Sequence, residues 1–313
     1  MSEQVSASVL DLVGNTPMVR LRGVTAGLPE RVEVYAKLEY FNPGGSVKDR
    51  AARQMILEAL ADGRLSTDKV LIDSTSGNTG VAYAMFCAAL GIEAHLVMPS
   101  NVSQPRKELI AAYGAKIIFS DPLEGSDGAI ELAHQVLADD RTGRYFYPDQ
   151  YSNPANPRAH ELTTGPEIVR DTDGRVTHFV AGLGTTGTVM GTGRALRRLA
   201  PAARIVAVQP DAAFHGLEGL KHLESSIVPA IYEASGHDQT VWMGTETGWA
   251  MRERLGREEG LVVGHSSGAS VAAALRVAQG LTEGVIVCIC CDHGDRYFDP
   301  RKLQRGTSAA AHV

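Results

Sequence analysis

Thr75-Ser76-Gly77-Asn78-Thr79-Gly80 and Gly184-Thr185-Thr186-Gly187-Thr188 are glycine- and threonine-rich loops, each between a strand-like and a helix-like segment. A third turn, Pro43-Gly44-Gly45-Ser46-Val47-Lys48-Asp49, places a lysine at the opening of another helix. Backbone N–H groups at a helix start hold phosphate or carboxylate, and an amine beside them can form a Schiff base with a carbonyl cofactor. Two anion cradles and one nucleophilic amine point to pyridoxal phosphate acting on an amino acid.

Each motif also has a plainer explanation. Ser46-Val47-Lys48-Asp49 has the S-x-x-D form of a capping box, with Ser46 as cap and Asp49 as its reciprocal acceptor. Lys48 then sits in the first helical turn, where the helix dipole disfavours its charge and eases deprotonation; a lone lysine is otherwise a solvated one. The loop from Asp73 to Gly80 precedes a helix expected from Val81. Gly77 and Gly80 permit close backbone approach, and Ser76, Asn78 and Thr79 supply short polar groups that suit a carboxylate. A capped turn explains the same residues equally well. Gly182-Leu183-Gly184-Thr185-Thr186-Gly187 matches G-x-G-x-x-G and permits a dinucleotide. Thr185, Thr186 and Thr188 suit a phosphate monoester better, and a dinucleotide leaves Lys48 without a role. Gly264-His265-Ser266-Ser267-Gly268 opens a small-residue helix over Ala269–Val277, where a serine can face a ring nitrogen or serve as an N-cap.

The elements that position these residues alternate. Val70–Ile72, His95–Met98, Lys116–Phe119, His178–Ala181, Arg204–Val208 and Val285–Cys290 are short apolar runs bounded by polar or turn residues. Between them, Ala52, Met55, Ile56, Ala59 and Leu60 recur at helical spacing, and Ile130 to Ala138 behaves similarly. Such alternation predicts an α/β fold of parallel sheets with helices on both faces. The 313-residue length predicts about two domains. Tyr147 to Pro157, polar and punctuated by proline, would return the chain from one to the other, and the small-residue tail from Gly306 is expected to fray.

With 44% hydrophobic residues, 21% charged residues and a net charge of −6, the chain is globular and has no basic stripe for nucleic acid or anionic membrane. The apolar run Val81–Ile92 is too short to span a bilayer, and the N-terminus lacks a secretory signal pattern. The 4 cysteines, with Cys288, Cys290 and Cys291 crowded on one strand, form neither a disulfide framework nor a zinc spacing. They are expected to be small buried hydrophobes in a protein of the reducing cytoplasm. The 10 histidines contain no H-x₃-H pair, so no metal site is expected.

Leu12-Val13-Gly14-Asn15-Thr16-Pro17-Met18-Val19, Pro43 to Arg50, Thr75 to Gly80, Asn153-Pro154-Ala155-Asn156-Pro157, Thr164-Gly165-Pro166-Glu167, Gly184 to Thr188, Gly264 to Gly268 and Gly294-Asp295-Arg296-Tyr297 occur in that order. Together they resemble the cysteine synthases (O-acetylserine or O-phosphoserine sulfhydrylases), which are fold-type II pyridoxal-phosphate enzymes. The resemblance covers nearly the whole chain. It implies a tryptophan synthase β-like α/β fold in which a smaller mobile domain, 43–148, binds substrate and a larger one, 1–42 plus 149–313, binds pyridoxal 5′-phosphate. Lys48 matches the Schiff-base lysine, which also removes the Cα proton, and Asn78 matches the residue bonded to the cofactor's 3′-oxygen. Thr75, Ser76, Asn78, Thr79 and Gln150 match the substrate-carboxylate site. Gly184, Thr185, Thr186, Gly187 and Thr188 match the phosphate loop, and Ser266 matches the partner of the pyridine nitrogen.

The implied reaction replaces the Cβ ester of an O-activated L-serine with a sulfur nucleophile, giving L-cysteine. Cys291-Asp292 stands where the family usually has proline-serine, which looks like the B-type synthases, and Asp73-Ser74 replaces the usual glutamate-proline. Lys221, within Gly216–Lys221, aligns with an arginine of phosphoserine-using relatives, with His215 and His222 near it in sequence. The resemblance further implies a homodimer, with a sulfur-carrier protein or a serine acetyltransferase as candidate partners. The alternatives are a related β-replacement enzyme, forming cystathionine or diaminopropionate, and a nicotinamide-dependent dehydrogenase.

Overall fold

β-branched runs and helical periods alternate in space as they do along the chain. The computed structural model describes residues 6–75 and 77–298, so Ser76 and the tail from Gly306 lie outside the described residues. In chain order the elements begin with β1 (Met18–Arg20), β2 (Val32–Leu38), α1 (Lys48–Ala61), β3 (Val70–Ser74), α2 (Asn78–Leu90) and β4 (Glu93–Pro99). Next come α3 (Gln104–Ala112), β5 (Lys116–Ser120), α4 (Gly125–Asp139), β6 (Tyr145–Phe146), α5 (Ala155–Leu162) and α6 (Thr164–Asp171). β7 (His178–Gly182), α7 (Gly187–Leu199), β8 (Arg204–Pro210), β9 (Gln239–Met243), α8 (Thr245–Arg254), α9 (His265–Ala278) and β10 (Gly284–Cys290) complete the fold.

The strands form a six-stranded sheet in the order β1-β2-β10-β7-β8-β9 and a four-stranded sheet in the order β5-β4-β3-β6. Among the described strand pairs, only β1–β2 is antiparallel. Both faces of a parallel sheet are covered by its crossover helices, so its strands are buried on both sides; every residue of β3 is buried. In β7, Val180 packs into the core beneath α9, whereas Phe179 and Ala181 join the opposite core with Val189, Met190 and Leu196 of α7. That split is the two-residue period of a strand. In the four-stranded sheet, Ala52, Met55, Ile56 and Ala59 of α1 and most of α2 cover one face, while Ala129 and Ala133 of α4 cover the other.

The connections set where chemistry can occur. In parallel α/β sheets the carboxyl ends of the strands and the amino ends of the following helices converge. Three of the expected helix starts shift. α2 begins at Asn78, three positions before Val81, so Asn78 and Thr79 belong to its first turn. α9 begins at His265 with Gly264 as N-cap, which makes Ser266 a first-turn residue and not a cap. α4 begins at Gly125, ahead of the Ile130 period.

Candidate active site

A cavity of about 280 Å³ opens between the two sheets. Its walls come from the carboxyl ends of their strands: Ser74 at the end of β3 and Thr75 after it, Pro99 of β4, Gly182 of β7 and Cys291 after β10. Lys48, Thr75, Asn78, Thr79, Gln150, Gly184, Thr185, Thr186, Thr188, Lys221 and Ser266 all line it. Of the residues singled out in the sequence, Gly187 lies just behind the wall as the first residue of α7. His215 and His222 are not part of the lining.

Lys48 is the first residue of α1, as its turn requires, but the capping box does not form. Ser46 Oγ accepts from the Lys48 amide at 3.2 Å, whereas Asp49 accepts from the Gly44 amide at 2.5 Å and not from Ser46. The cause is tertiary. Ser46 makes an antiparallel bridge with Asp292, and the Val47 amide donates to the Cys291 carbonyl at 2.8 Å, so the chain enters the helix from a strand-like pairing. Asp49 is buried within the turn it braces, and burial pushes its carboxyl up to about 7.

The loop before α2 is organised around Thr75, whose Oγ1 accepts from the Gly80 amide at 3.2 Å. Thr79 Oγ1 donates to Gln150 Oε1 at 2.9 Å, tying the first turn of α2 to the stretch that follows β6. Asn78 is held on both ends of its amide. Its Nδ2 donates to Asp292 Oδ2 at 2.6 Å, and its Oδ1 accepts from Arg296, which also donates to the Gly44 carbonyl. Tyr297 donates its hydroxyl to the same Asp292 oxygen. The turn Gly294–Tyr297 thus clasps both the lysine turn and the α2 start.

On the opposite wall, Thr186 takes a left-handed conformation (φ 73°) as N-cap of α7, a strained choice for a threonine that functional sites tolerate. Its hydroxyl is buried with no protein partner among the described residues. A Cβ on Gly184 would stand 2.3 Å from the Gly219 carbonyl, and one on Gly187 would stand 1.9 Å from Asn156 Oδ1. Only glycine lets this loop bend so tightly around the amino end of α7, where amides lack intrahelical acceptors. An orphaned buried hydroxyl in a tight amide-lined loop fits a phosphate.

Ser266 is buried in the cavity wall. Cys288 and Cys290 are the small buried hydrophobes expected, but Cys291 follows the strand end and turns toward the cavity, which corrects the reading of that cluster. Burial pushes its thiol up to about 11 against the opposing charge of Lys48. Lys221 Nζ lies 5.0 Å from the centroid of the Tyr151 ring, a cation–π contact inside the lining. At the rim, Arg106 of α3 pairs with Glu218 at 2.6 Å and lies 5.6 Å over the Tyr297 ring. Asp292, Arg296, Tyr297, Arg106 and Glu218 were not anticipated as site residues. The motif Gly294–Tyr297 and the unusual Cys291-Asp292 pair were the available signals.

A lysine between two anion cradles, at the carboxyl ends of two parallel sheets, defines an α/β enzyme built for a carbonyl cofactor bearing a phosphate. The chain belongs to the pyridoxal-phosphate dependent enzyme family, whose model matches residues 9–292. It is 50% identical over 296 residues to the cysteine synthase of Aquifex aeolicus, covering 93% of this chain and 90% of that one. It is 43% identical to cysteine synthase B of Escherichia coli, covering 91% and 92% of the two chains. The crystal structure of cysteine synthase from Entamoeba histolytica superposes with a TM-score of 0.92 at 33% identity, over 97% of this chain and 92% of that one. Pyridoxal phosphate is therefore the cofactor, and the dinucleotide reading of Gly182–Gly187 falls. Among the described residues, no helix is long and apolar enough to cross a membrane, and no group of three His, Cys, Asp or Glu residues is placed to hold a metal.

Proposed function

We propose that this enzyme is a cysteine synthase, replacing the Cβ substituent of an O-activated L-serine with sulfur. The observation that carries this reading is Lys48 in one cavity with Thr75, Gly77, Asn78 and Thr79 and with Gly184, Thr185, Thr186 and Thr188. Bound pyridoxal phosphate supplies an electron-withdrawing ring that makes the Cα proton of a joined amino acid acidic. Gly184, Thr185, Thr186, Gly187 and Thr188 would hold its phosphate, Ser266 would serve its ring nitrogen and Asn78 its 3′-oxygen. A neutral serine leaves the ring a weak electron sink, which suits loss of a Cβ leaving group. Thr75, Ser76, Asn78, Thr79 and Gln150 receive the substrate carboxylate. Gln150, whose Oε1 is occupied by Thr79, meets that carboxylate with its amide nitrogen. Lys48, with its amine free, would take the Cα proton on Nζ.

The smaller domain, 43–148, is proposed to close on the larger one and exclude water, as supported by the confinement of β3–β6 to that span. Closure would make and break the Asn78–Asp292 and Arg106–Glu218 links across the cavity. Substrate-free and substrate-bound structures with an unmoved Thr75–Gly80 segment would refute it. The homodimer and the cytoplasmic setting belong to the same reading. Lys221 is proposed as the cation that meets the leaving group, favouring O-phosphoserine.

Purified protein is expected to be yellow, and Lys48→Ala to lose turnover of O-acetylserine or O-phosphoserine with sulfide while still binding pyridoxal phosphate through the loop. A colourless, cofactor-free protein with full activity, or full activity in Lys48→Ala, refutes the proposal. Product analysis with homocysteine and ammonia as donors separates it from cystathionine or diaminopropionate synthesis.

A further inference from the structure

The threonine hydroxyls of the 184–188 loop are not oriented by that loop alone. Helix α5 runs beneath it and carries Asn156 and His160, one turn apart on a single face. Both are buried, at 1% and 2% exposure. Asn156 Nδ2 donates to Thr185 Oγ1 at 3.1 Å and to the Gln150 carbonyl at 2.7 Å. His160 Nε2 lies 3.2 Å from Thr188 Oγ1, and its Nδ1 lies 2.9 Å from Thr164 Oγ1. α5 and α7 pack so closely that a Cβ on Gly191 would stand 1.9 Å from the Pro157 carbonyl.

Each hydroxyl has one proton to give. Thr185 Oγ1 receives a proton from Asn156, so its own is directed away from α5. For Thr188 the direction depends on the imidazole. Burial, reinforced by the Arg50 charge, holds the His160 pKa down to about 3, so one ring nitrogen carries a proton and the other accepts. Thr164 is fully buried, and His160 Nδ1 is the one acceptor in reach of its hydroxyl proton among the described residues. That leaves the proton on Nε2, pointing at Thr188 Oγ1. The reverse tautomer would strand the Thr164 proton and turn a Thr188 lone pair toward a phosphate dianion, at a cost in both places.

We propose that α5 sets the polarity of the phosphate cradle: Asn156 Nδ2 and the Nε2–H tautomer of His160, fixed by Thr164, make the Thr185 and Thr188 hydroxyls donors toward the cofactor phosphate. Asn156, His160 and Thr164 are positioning residues, and the proposal rests on the reading of the loop as the phosphate site. Thr186, whose buried hydroxyl has no protein partner among the described residues, needs no such help.

The test is equilibrium binding of pyridoxal phosphate to cofactor-stripped protein, followed by absorbance, with the ³¹P resonance of the bound cofactor as a second readout. Asn156→Asp keeps the shape but replaces a donor by an acceptor. It is expected to weaken binding by about tenfold to a hundredfold, the range for a hydrogen bond to a charged group, and to shift the ³¹P signal. Adding Thr185→Val to Asn156→Asp should weaken binding little further, because that hydroxyl is already turned away. Independently, His160→Gln, which keeps an amide donor at the Nε2 position, should retain most of the affinity that His160→Met loses. Wild-type affinity in Asn156→Asp, or equal losses in His160→Gln and His160→Met, overturns the proposal. Wild-type protein that takes up no pyridoxal phosphate would instead refute the phosphate-site reading beneath it.

Discussion

Arg50, two residues beyond Lys48, is the centre of a buried ionic cluster whose removal should be costly and pH-dependent. Its Nε and Nη2 donate to Glu39 at 2.7 and 2.9 Å, its Nη1 and Nη2 to Glu167 at 2.7 and 2.8 Å, and its Nη2 also to Thr16 at 3.2 Å. Lys37 adds a 2.8 Å contact to Glu167. Lys37 and Glu39 are fully buried, with Arg50 at 2% and Glu167 at 5% exposure. Burial pushes both carboxyls up, but the Arg50 charge and hydrogen bonds override it, so Glu39 is lowered and Glu167 is held at about 2. Arg50→Met fills similar volume but leaves two buried carboxylates with Lys37 as their remaining cation in the cluster. Breaking such a cluster costs about 3–5 kcal/mol. Wild-type carboxyls lowered by pairing contribute stability that is present above their ordinary value of 4.5 and lost as pH falls through the lowered one. In the variant, burial without Arg50 raises them instead, so its deficit grows with pH above 4.5 by up to about 1.4 kcal/mol per unit for each group that must ionise. Urea denaturation from pH 5 to 8 at constant m-value reads this directly. The expected result is a deficit near neutrality that shrinks on acidification and is partly recovered by adding Glu39→Gln. A deficit under about 1 kcal/mol with no pH dependence would refute the account.

Lys221→Ala should lower kcat/KM for O-phosphoserine by about tenfold to a hundredfold, with turnover of O-acetylserine barely changed; steady-state kinetics on both esters checks it, and equal losses would make Lys221 structural. Asp73, fully buried at the end of β3, is raised by burial from 3.8 to about 8. Its contribution is therefore complete at low pH and is lost as pH rises from about 4 to about 8. Asp73→Asn should gain stability relative to wild type across that window in chemical denaturation, and a flat difference would show that Asp73 does not titrate there. Gly187→Ala should abolish cofactor retention, because its Cβ would fall 1.9 Å from Asn156 Oδ1; measured pyridoxal content of the purified variant decides.

β3, β4, β5, β7, β8 and β10 and the loops that precede helices were legible because each has a local cause, although the exact starts of α2, α4 and α9 were not. Buried parallel strands are continuous apolar runs, and anion-holding helix starts need glycine and small hydroxyl residues. β2 was not legible. Val32-Glu33-Val34-Tyr35-Ala36-Lys37-Leu38 alternates like a half-exposed strand, yet Lys37 is fully buried because Glu167, far along the chain, neutralises it. The capping box failed for the same kind of reason. Its pattern is local, but Ser46 is claimed by Asp292, which reaches it only because β10 pairs with both β2 and β7. Chemistry that needs a particular residue type at a helix start can be read from a few adjacent residues. The groups that orient it arrive from the far end of the chain through strand order, which no local window contains. Asn156 stands between these cases. Its motif, Asn153–Pro157, was visible in the sequence only as a proline-punctuated turn and a point of resemblance. Its role beneath Thr185 becomes apparent only once α5 is packed against α7, and that packing also explains why position 187 must be glycine.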